Sequence, residues 1–192
     1  MPSNARIGLI GIGNTLATDD GAGIQSLGLL RDSLADDRIA LVECERGGMA
    51  LLELLEGFDA AILLDAAQTG YRVPGEVEVF SIRSPFTPGA CPSLHTINLR
   101  GLLAFGEALG MALPREVTVV TVEARDIETF HEGCTREVEH ALRGMAEKAQ
   151  EQIRLVLPDV RLGSRPGSRP DVGGFSVQGE SARDSASVGG AL

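Results

Sequence analysis

The sequence predicts an α/β fold in which helices cover both faces of a mostly parallel, five-stranded sheet. Two observations carry this prediction: short aliphatic runs alternate with longer segments of helical periodicity, and the first three runs are almost continuously apolar. Strands of a parallel sheet are buried on both faces, so they lack the polar-apolar alternation of half-exposed strands. The length of 192 residues is enough for one domain with a substantial core.

Five runs rich in aliphatic and β-branched residues predict the strands. In chain order they are Arg6–Ile12, Ile39–Cys44, Ala60–Leu64, Glu76–Ile82 and Val117–Val122. The fourth run differs from the others because Pro74 and Gly75 mark a short turn directly before it. Its apolar residues alternate only in part, so we expect this strand at an edge of the sheet.

Four further segments carry apolar residues at helical spacing, and each of them predicts a helix. The repeating positions are Ile24, Leu27, Leu30 and Leu34, then Leu51, Leu54 and Leu55, then Leu99, Leu102, Leu103 and Leu109, and finally Val138, Leu142, Met145, Ala149, Ile153 and Val156. Thr135 is a suitable N-cap for the last helix, with Glu137 in its first turn.

Charge and cysteine content exclude several classes of protein. Seventeen basic residues against 27 acidic ones give a formal net charge of -10, which repels nucleic acids and anionic membranes. No stretch has the length of a membrane span or of the apolar core of a signal peptide. Cys44, Cys91 and Cys134 form no Cys-x-x-Cys pair, which argues against a disulfide framework and a cysteine zinc site. We expect a cytoplasmic protein with reduced thiols, and a monomer.

The composition changes abruptly after Pro158. Residues 159–192 contain the tandem repeat GSRPGSRP and few apolar side chains, so this segment buries too little surface to offset the entropy of ordering it. It carries four basic and four acidic residues, which leaves the whole net charge on residues 1–158. We therefore expect one folded domain over residues 1–158 and a disordered tail over residues 159–192.

The segment GIGNTLATDDGAG, residues 11–23, follows the first strand and admits more than one interpretation. Gly11 and Gly13 stand where a dinucleotide-binding turn would place them, but Leu16 takes the place of the third glycine. The two carboxylates that follow are also unfavourable for a phosphate at a helix N-terminus. Phosphate binding is therefore the weaker interpretation.

The adjacent acids of this segment suggest a cap or a binding site. Asp19 or Asp20 could cap the first helix, and we expect this role for one of them. The other acid would then face a cleft, where Gly21 and Gly23 would let a partner approach the backbone closely.

Three residues from distant segments are predicted to meet at one edge of the sheet. Asp65 ends the third strand after four apolar residues, Asp20 follows the first strand, and His95 lies in the loop after the fourth strand, just before a helix. Ligands of open α/β sheets bind beyond the carboxyl ends of the strands. Asp65 could also be a strand-end cap, and His95 could simply bond to backbone. Together, however, two carboxylates and one imidazole suit zinc or nickel with positions left open for water or substrate.

The sequence resembles the hydrogenase maturation endopeptidases of nickel-iron hydrogenases over residues 6 to about 157. GIGNTLATDDGAG is similar to the G-x-G-N-x-L-x-x-D-[DE]-G-x-G signature of that family, and ERGGMALLELLEGFDAAILLDA to its D-G-G-x-x-x-x-x-L-L stretch. SLHTINLRGLL is similar to its histidine segment, and GCTREVEHAL to the start of its last helix. The family usually has Asp before the glycine pair, where this chain has Arg46.

The resemblance implies a three-layer α/β/α sandwich of the phosphorylase/hydrolase-like kind. It assigns metal binding and catalysis to Asp20, Asp65 and His95. It also implies one cut that removes the C-terminal extension of a hydrogenase large-subunit precursor after nickel insertion. The nickel would be that of the precursor, so the free enzyme needs no metal of its own.

The substrate cleft is predicted to include Asn14, Gly47, Gly48 and His131. His131 also has a simpler interpretation as a solvated loop residue. Two alternative functions remain open at this stage. One is a protein of the same fold that recognises the nickel site without cutting, and the other is a dinucleotide-binding reductase, against which the missing third glycine argues.

Overall fold

A computed structural model of the chain describes residues 5–45, 47–82 and 94–162, and for residues 94–98 it describes the backbone alone. Arg46, Cys91 and residues 163–192 of the expected tail lie outside the described residues. The chain is still packed beyond Pro158, because Arg38 bonds to Asp159 and the side chain of Leu162 contacts the core.

The sheet has five strands, and the predicted α/β fold class is confirmed. They are β1 (Ile7–Ile12), β2 (Ile39–Cys44), β3 (Ala60–Ala67), β4 (Val77–Ser81) and β5 (Glu116–Glu123). Their order across the sheet is β2-β1-β3-β5-β4. All neighbouring pairs are parallel except β4, which runs antiparallel to β5 and forms an edge as expected from the turn before it.

Helices cover both faces of this sheet. They are α1 (Ala22–Leu30), α2 (Met49–Leu55), α3 (Leu94–Ala108) and α4 (Arg136–Val156), and Thr135 is the N-cap of α4 as predicted. The prediction was wrong for Leu34, which lies beyond α1 and a 3-10 turn over Arg31–Ser33. Leu34 is extended because it pairs with Leu162 in an antiparallel bridge.

Two separate hydrophobic cores hold the three layers together. On one face α1 and α4 pack on the sheet, with Leu27, Met145 and Ile153 fully buried. On the other face α2 and α3 do so, with Leu52 and Leu103 buried. Each fully buried aliphatic side chain contributes roughly 1.5–3 kcal/mol, so the two cores supply most of the stability of the sandwich. Within the described ranges, no helix combines the length and the apolar composition that crossing a bilayer would require.

The strand order creates a crevice at the carboxyl edge of the sheet. The helix that follows β1 packs on one face and the helix that follows β2 packs on the other, which is the arrangement that opens a ligand site in α/β sheets. The pairing of β1 with β3 stops at Gly11 and Leu64, while β3 continues to Ala67. Asp65 is therefore the first residue of β3 beyond the contact with β1.

Candidate active site at the carboxyl edge of the sheet

A cavity of about 700 Å³ opens at this edge. Asn14, Asp20, Glu45 and Asp65 supply its polar lining, together with backbone at Gly13, Gly47 and Gly48. The rest of the wall is mostly aliphatic and comes from strands and helices on the α2 and α3 face: Ile12, Leu51, Leu63, Leu99, Leu102 and Val119. A few carboxylates in a mostly apolar cavity are typical of a binding or catalytic site.

Asp20 belongs to a 3-10 turn, Thr18–Gly21, that lies between β1 and α1. Its Oδ2 accepts a hydrogen bond of 2.8 Å from the backbone N–H of Asn14, and the side chain of Asn14 accepts one of 3.0 Å from the N–H of Leu16. Among the described residues, no group donates to the second oxygen of Asp20. The turn thus holds this carboxylate in one direction and leaves an oxygen available to a ligand.

Asp19 has a different role from its neighbour. It is fully buried, and its carboxylate accepts hydrogen bonds from the backbone N–H groups of Arg125, Asp126 and Thr135, at 2.9, 3.0 and 2.6 Å. The hydroxyl of Thr135 donates a fourth, at 2.9 Å. Asp19 therefore ties the loop between β5 and α4 to the turn that carries Asp20.

The expectation that one of these acids caps the first helix was wrong. The N-cap of α1 is Gly21, and no side chain bonds to the cap position. Asp19 instead satisfies backbone donors that come from a segment more than 100 residues away in sequence. The carboxylate bonds to these distant partners and does not bond to the N-terminus of its own helix.

Gly13 and Gly23 of this segment each lie against the backbone of another part of the chain, where no Cβ would fit. Gly13 has a φ of +133°, and a Cβ there would lie 1.7 Å from the carbonyl oxygen of Asp20. At Gly23 a Cβ would lie 2.2 Å from the carbonyl oxygen of Leu64 and 2.4 Å from that of Ile12. The expected close approach of a partner at Gly23 is thus corrected: the approaching backbone belongs to β1 and β3 of the same chain.

Asp65 also lines the cavity, but it lies within β3 and not at its end as predicted. It pairs with Thr121 of β5, is only 3% exposed, and accepts a hydrogen bond of 2.9 Å from the N–H of Ala66. The strand continues past Asp65 because β5 still pairs with it as far as Ala67. Asp20 and Asp65, two of the three predicted metal ligands, line the same cavity.

His95 is the second residue of α3 and does not lie in a loop as predicted. Its side chain lies outside the described residues, whereas Leu99 and Leu102 of the same helix line the cavity. Among the side chains that the structure does describe, no three His, Cys, Asp or Glu residues are grouped so that they could hold a metal ion.

The predicted cleft residues divide into two groups. Asn14, Gly47 and Gly48 line the cavity, and a Cβ at either glycine would meet nothing within 4 Å. His131 is exposed on a neighbouring loop, where its backbone bonds to Leu16 and Thr18. Glu45 also lines the cavity and is not among the predicted site residues, although it directly follows β2, whose carboxyl end lies at this edge.

A family model described as hydrogenase maturation protease matches residues 29–152. The chain belongs to the hydrogenase maturation protease family. This match begins after the turn that carries Asp20 and includes both Asp65 and His95. The family resemblance noted from the sequence motifs is thereby confirmed.

Curated relatives match the chain as well. The hydrogenase expression/formation protein HupM of Azotobacter chroococcum is 32% identical over 133 residues, which are 67% of this chain and 62% of that protein. The hydrogenase 2 maturation protease of Escherichia coli is 28% identical over 156 residues, which are 79% of this chain and 90% of that protein. The chain thus spans 62% of the length of the first relative and most of the second.

Solved structures share the fold. An endopeptidase from Escherichia coli superposes with a TM-score of 0.68 at 24% identity, over 84% of this chain and 97% of that one. A hydrogenase 2 maturation peptidase from a Thaumarchaeota archaeon gives a TM-score of 0.59 at 26% identity, over 78% and 99% of the two chains. The three-layer arrangement of this chain is therefore that of known hydrogenase maturation proteases.

Proposed function

We propose that this protein is an endopeptidase that removes the C-terminal extension of a nickel-iron hydrogenase large-subunit precursor after nickel insertion. The observation that carries the proposal is the convergence of Asp20 and Asp65 on one cavity, in a chain of the hydrogenase maturation protease family. The protein from Escherichia coli that matches 79% of the chain is named a hydrogenase 2 maturation protease.

In this proposal the nickel of the precursor is bound by Asp20, Asp65 and His95. Two carboxylates and one imidazole are suitable ligands for this ion and leave coordination positions for groups of the precursor. Such an incomplete set recognises a loaded metal centre without extracting the ion. The fixed direction of the Asp20 carboxylate supports this role, because a preoriented ligand loses little freedom on binding.

Peptide hydrolysis then requires a polarised carbonyl, a water and a proton acceptor. The nickel ion of the substrate would polarise the scissile carbonyl or lower the pKa of the attacking water. One of the two carboxylates would accept the proton of that water as general base. The aliphatic wall lowers the local dielectric, which strengthens electrostatic interactions within the cavity.

An extended peptide has room to pass along one side of the cavity. Gly47 and Gly48 are exposed and line it, and the space above both residues is open. Glycine has no Cβ, so another backbone can approach it more closely than it can approach a residue with a side chain. The glycine pair is therefore the proposed path of the precursor extension.

The direct test is incubation of the protein with nickel-loaded and nickel-free precursor, followed by the intact mass of the large subunit. Cleavage is expected with the loaded precursor alone. Equal cleavage of both forms would contradict recognition through nickel, while absence of cleavage from both would contradict the protease assignment.

A non-cleaving protein that recognises the nickel site is the second candidate. The relative from Azotobacter chroococcum is named an expression/formation protein and not a protease, which is the observation that favours this candidate. It predicts stable binding of loaded precursor with no change in the mass of the large subunit. The same incubation therefore distinguishes the two functions.

A further inference from the structure

The loop between β5 and α4 and the loop that carries Asp20 each expose a large apolar side chain near the cavity. Phe130 is 83% exposed, and Leu16, on the loop that carries Asp20, is 52% exposed. Phe130 is the most exposed of the large hydrophobic residues that the structure describes. Exposed aromatic residues next to a binding site are typical of protein contact surfaces.

Backbone hydrogen bonds join the two loops that carry these apolar residues. The N–H of His131 donates to the carbonyl oxygen of Leu16, and the N–H of Thr18 donates to that of His131, each at 3.0 Å. The hydroxyl of Thr18 also donates to the carbonyl oxygen of Thr129 at 2.6 Å. Phe130 therefore lies on a loop that is fixed to the turn carrying Asp20.

Both loops also contribute residues to the wall of the cavity. Ala17 and Ile127 line the cavity, and each lies close in sequence to one of the two exposed apolar residues. The carboxylate of Asp19 holds the start of the same loop through Arg125 and Asp126. A precursor that occupies the cavity would therefore lie next to the loops that carry Leu16 and Phe130.

The charges around Phe130 indicate the chemistry of its partner. Glu128 and Glu132 are exposed on either side of it, and within the described part of the chain neither forms an ion pair. The formal net charge of -10 adds to this negative field. A complementary surface would offer an apolar pocket bordered by lysine or arginine.

We infer that Leu16, Glu128, Phe130 and Glu132, here named the Phe130 rim, form the docking surface for the folded body of the hydrogenase precursor. This inference rests on the proposed function, because it takes the precursor as the occupant of the cavity. Phe130 and Leu16 bury themselves against an apolar area of the precursor, and the two glutamates pair with basic residues around it. The rim supplies affinity and leaves the chemistry to the cavity.

The test compares steady-state processing of nickel-loaded precursor by wild type, Phe130→Ser and Leu155→Ser. Leu155 is 74% exposed near the end of α4, about 30 Å along that helix from Thr135, so it is a matched apolar control. Phe130→Ser should raise KM at least about tenfold with kcat unchanged, because truncation of a central aromatic residue at an interface has an effect of this size. Leu155→Ser should leave both constants unchanged.

A second pair of variants tests the charges of the rim. Glu128→Gln combined with Glu132→Gln should raise KM at low salt and weaken its dependence on ionic strength. The exposed pair Asp37→Asn with Glu151→Gln is the control for the loss of two negative charges. An equal effect of both pairs would overturn the role of the glutamates.

Surface plasmon resonance measures binding of the loaded precursor to the same variants. It tests the docking role of the Phe130 rim independently of the protease assignment. Wild type that binds without cutting would contradict the proposed protease, and the rim would still be tested by the affinity of Phe130→Ser. Wild type that cuts, with Phe130→Ser equal to Leu155→Ser in KM and affinity, would overturn the rim. A fall in kcat at constant KM for Phe130→Ser would overturn it as well.

Discussion

The backbone N–H of Asn14 donates a hydrogen bond of 2.8 Å to Oδ2 of Asp20. The bond closes the turn that follows β1 and fixes the direction of the carboxylate in the cavity that also contains Asp65. The carboxylate of the neighbouring Asp19 accepts four hydrogen bonds from the segment between β5 and α4. Of the two adjacent acids, Asp20 is therefore available to a ligand, and Asp19 holds the loop that carries Asp20 in place.

Asp20→Asn, Asp65→Asn and His95→Ala should each reduce processing of the loaded precursor by roughly a hundredfold or more, because each removes a ligand or base from the proposed reaction. The first two changes keep the size of the side chain, so the fold should persist. The measurement is the rate of appearance of the shortened large subunit, with circular dichroism as the check of folding.

Asp37→Asn is the matched control for these variants, since Asp37 is exposed and far from the cavity lining. It should process the precursor like wild type. Near-normal cleavage by any two of the three site variants would contradict the assignment of the site.

Asp19→Ala should destabilise the protein by about 3 kcal/mol or more, because it leaves four partly buried donors without their acceptor. The affected groups are the N–H groups of Arg125, Asp126 and Thr135 and the hydroxyl of Thr135. The free energy of unfolding in urea measures this loss. Asp37→Ala, at an exposed acid, should change it by less than about 0.5 kcal/mol; comparable losses in the two variants would refute the anchoring role of Asp19.

Two glycines of α1 should respond in opposite ways to alanine. Gly23→Ala should destabilise strongly, by about 3 kcal/mol or more, because its Cβ would collide with the carbonyl oxygens of Leu64 and Ile12. Gly28→Ala meets nothing within 4 Å and should stabilise the helix by roughly 0.5–1 kcal/mol. Thermal unfolding of both variants checks this, and a folded Gly23→Ala with wild-type stability would be incompatible with the packing of α1 on β1 and β3.

Much of the fold could be predicted because it depends on local patterns. The strand β2 was predicted with its observed ends, Ile39–Cys44, since an aliphatic run bounded by polar residues has a clear signal. Convergence of Asp20 and Asp65 was also predictable, because parallel strands present their carboxyl ends at the same edge. Neither inference required knowledge of contacts between distant segments.

Features that depend on distant contacts could not be predicted. The turn towards Leu34 looks helical in sequence, but its bridge to Leu162 decides its backbone. The role of Asp19 depends on donors at Arg125 and Thr135, more than 100 residues away. The position of Phe130 near Leu16 could not be predicted either, because it follows from the pairing of two loops through the bridge of Ala17 with His131.

The free energy of unfolding should fall at acidic pH, in part because Asp36 becomes protonated. Its carboxylate accepts two hydrogen bonds from the guanidinium of Arg38, at 2.9 and 2.7 Å, and one from the N–H of Arg38. These bonds lower the pKa of Asp36 from 3.8 to about 2. Because the pKa is lower in the folded protein, the stabilisation is fully present above pH 3.8 and is lost as the pH falls towards 2.

Asp36→Asn should therefore be less stable than wild type near neutral pH, and the difference should shrink as the pH falls through this window. Urea unfolding of both proteins at a series of pH values measures it. Asp37→Asn controls for the loss of one negative charge. A difference between Asp36→Asn and wild type that stays constant down to about pH 2 would show that the pair with Arg38 contributes nothing to the acid response.

Gly47→Ala should reduce processing without affecting stability. A Cβ at Gly47 meets no protein atom within 4 Å, so the fold accepts it, but it projects into the space proposed for the precursor extension. One added carbon in a close contact should lower kcat/KM on the order of tenfold, and the larger Gly47→Val should lower it further. Gly144→Ala, in α4 and equally free of neighbours, should process at the wild-type rate. Wild-type kinetics of Gly47→Val would mean that the extension takes another path, because no extended backbone could lie against a valine side chain as closely as against a bare glycine.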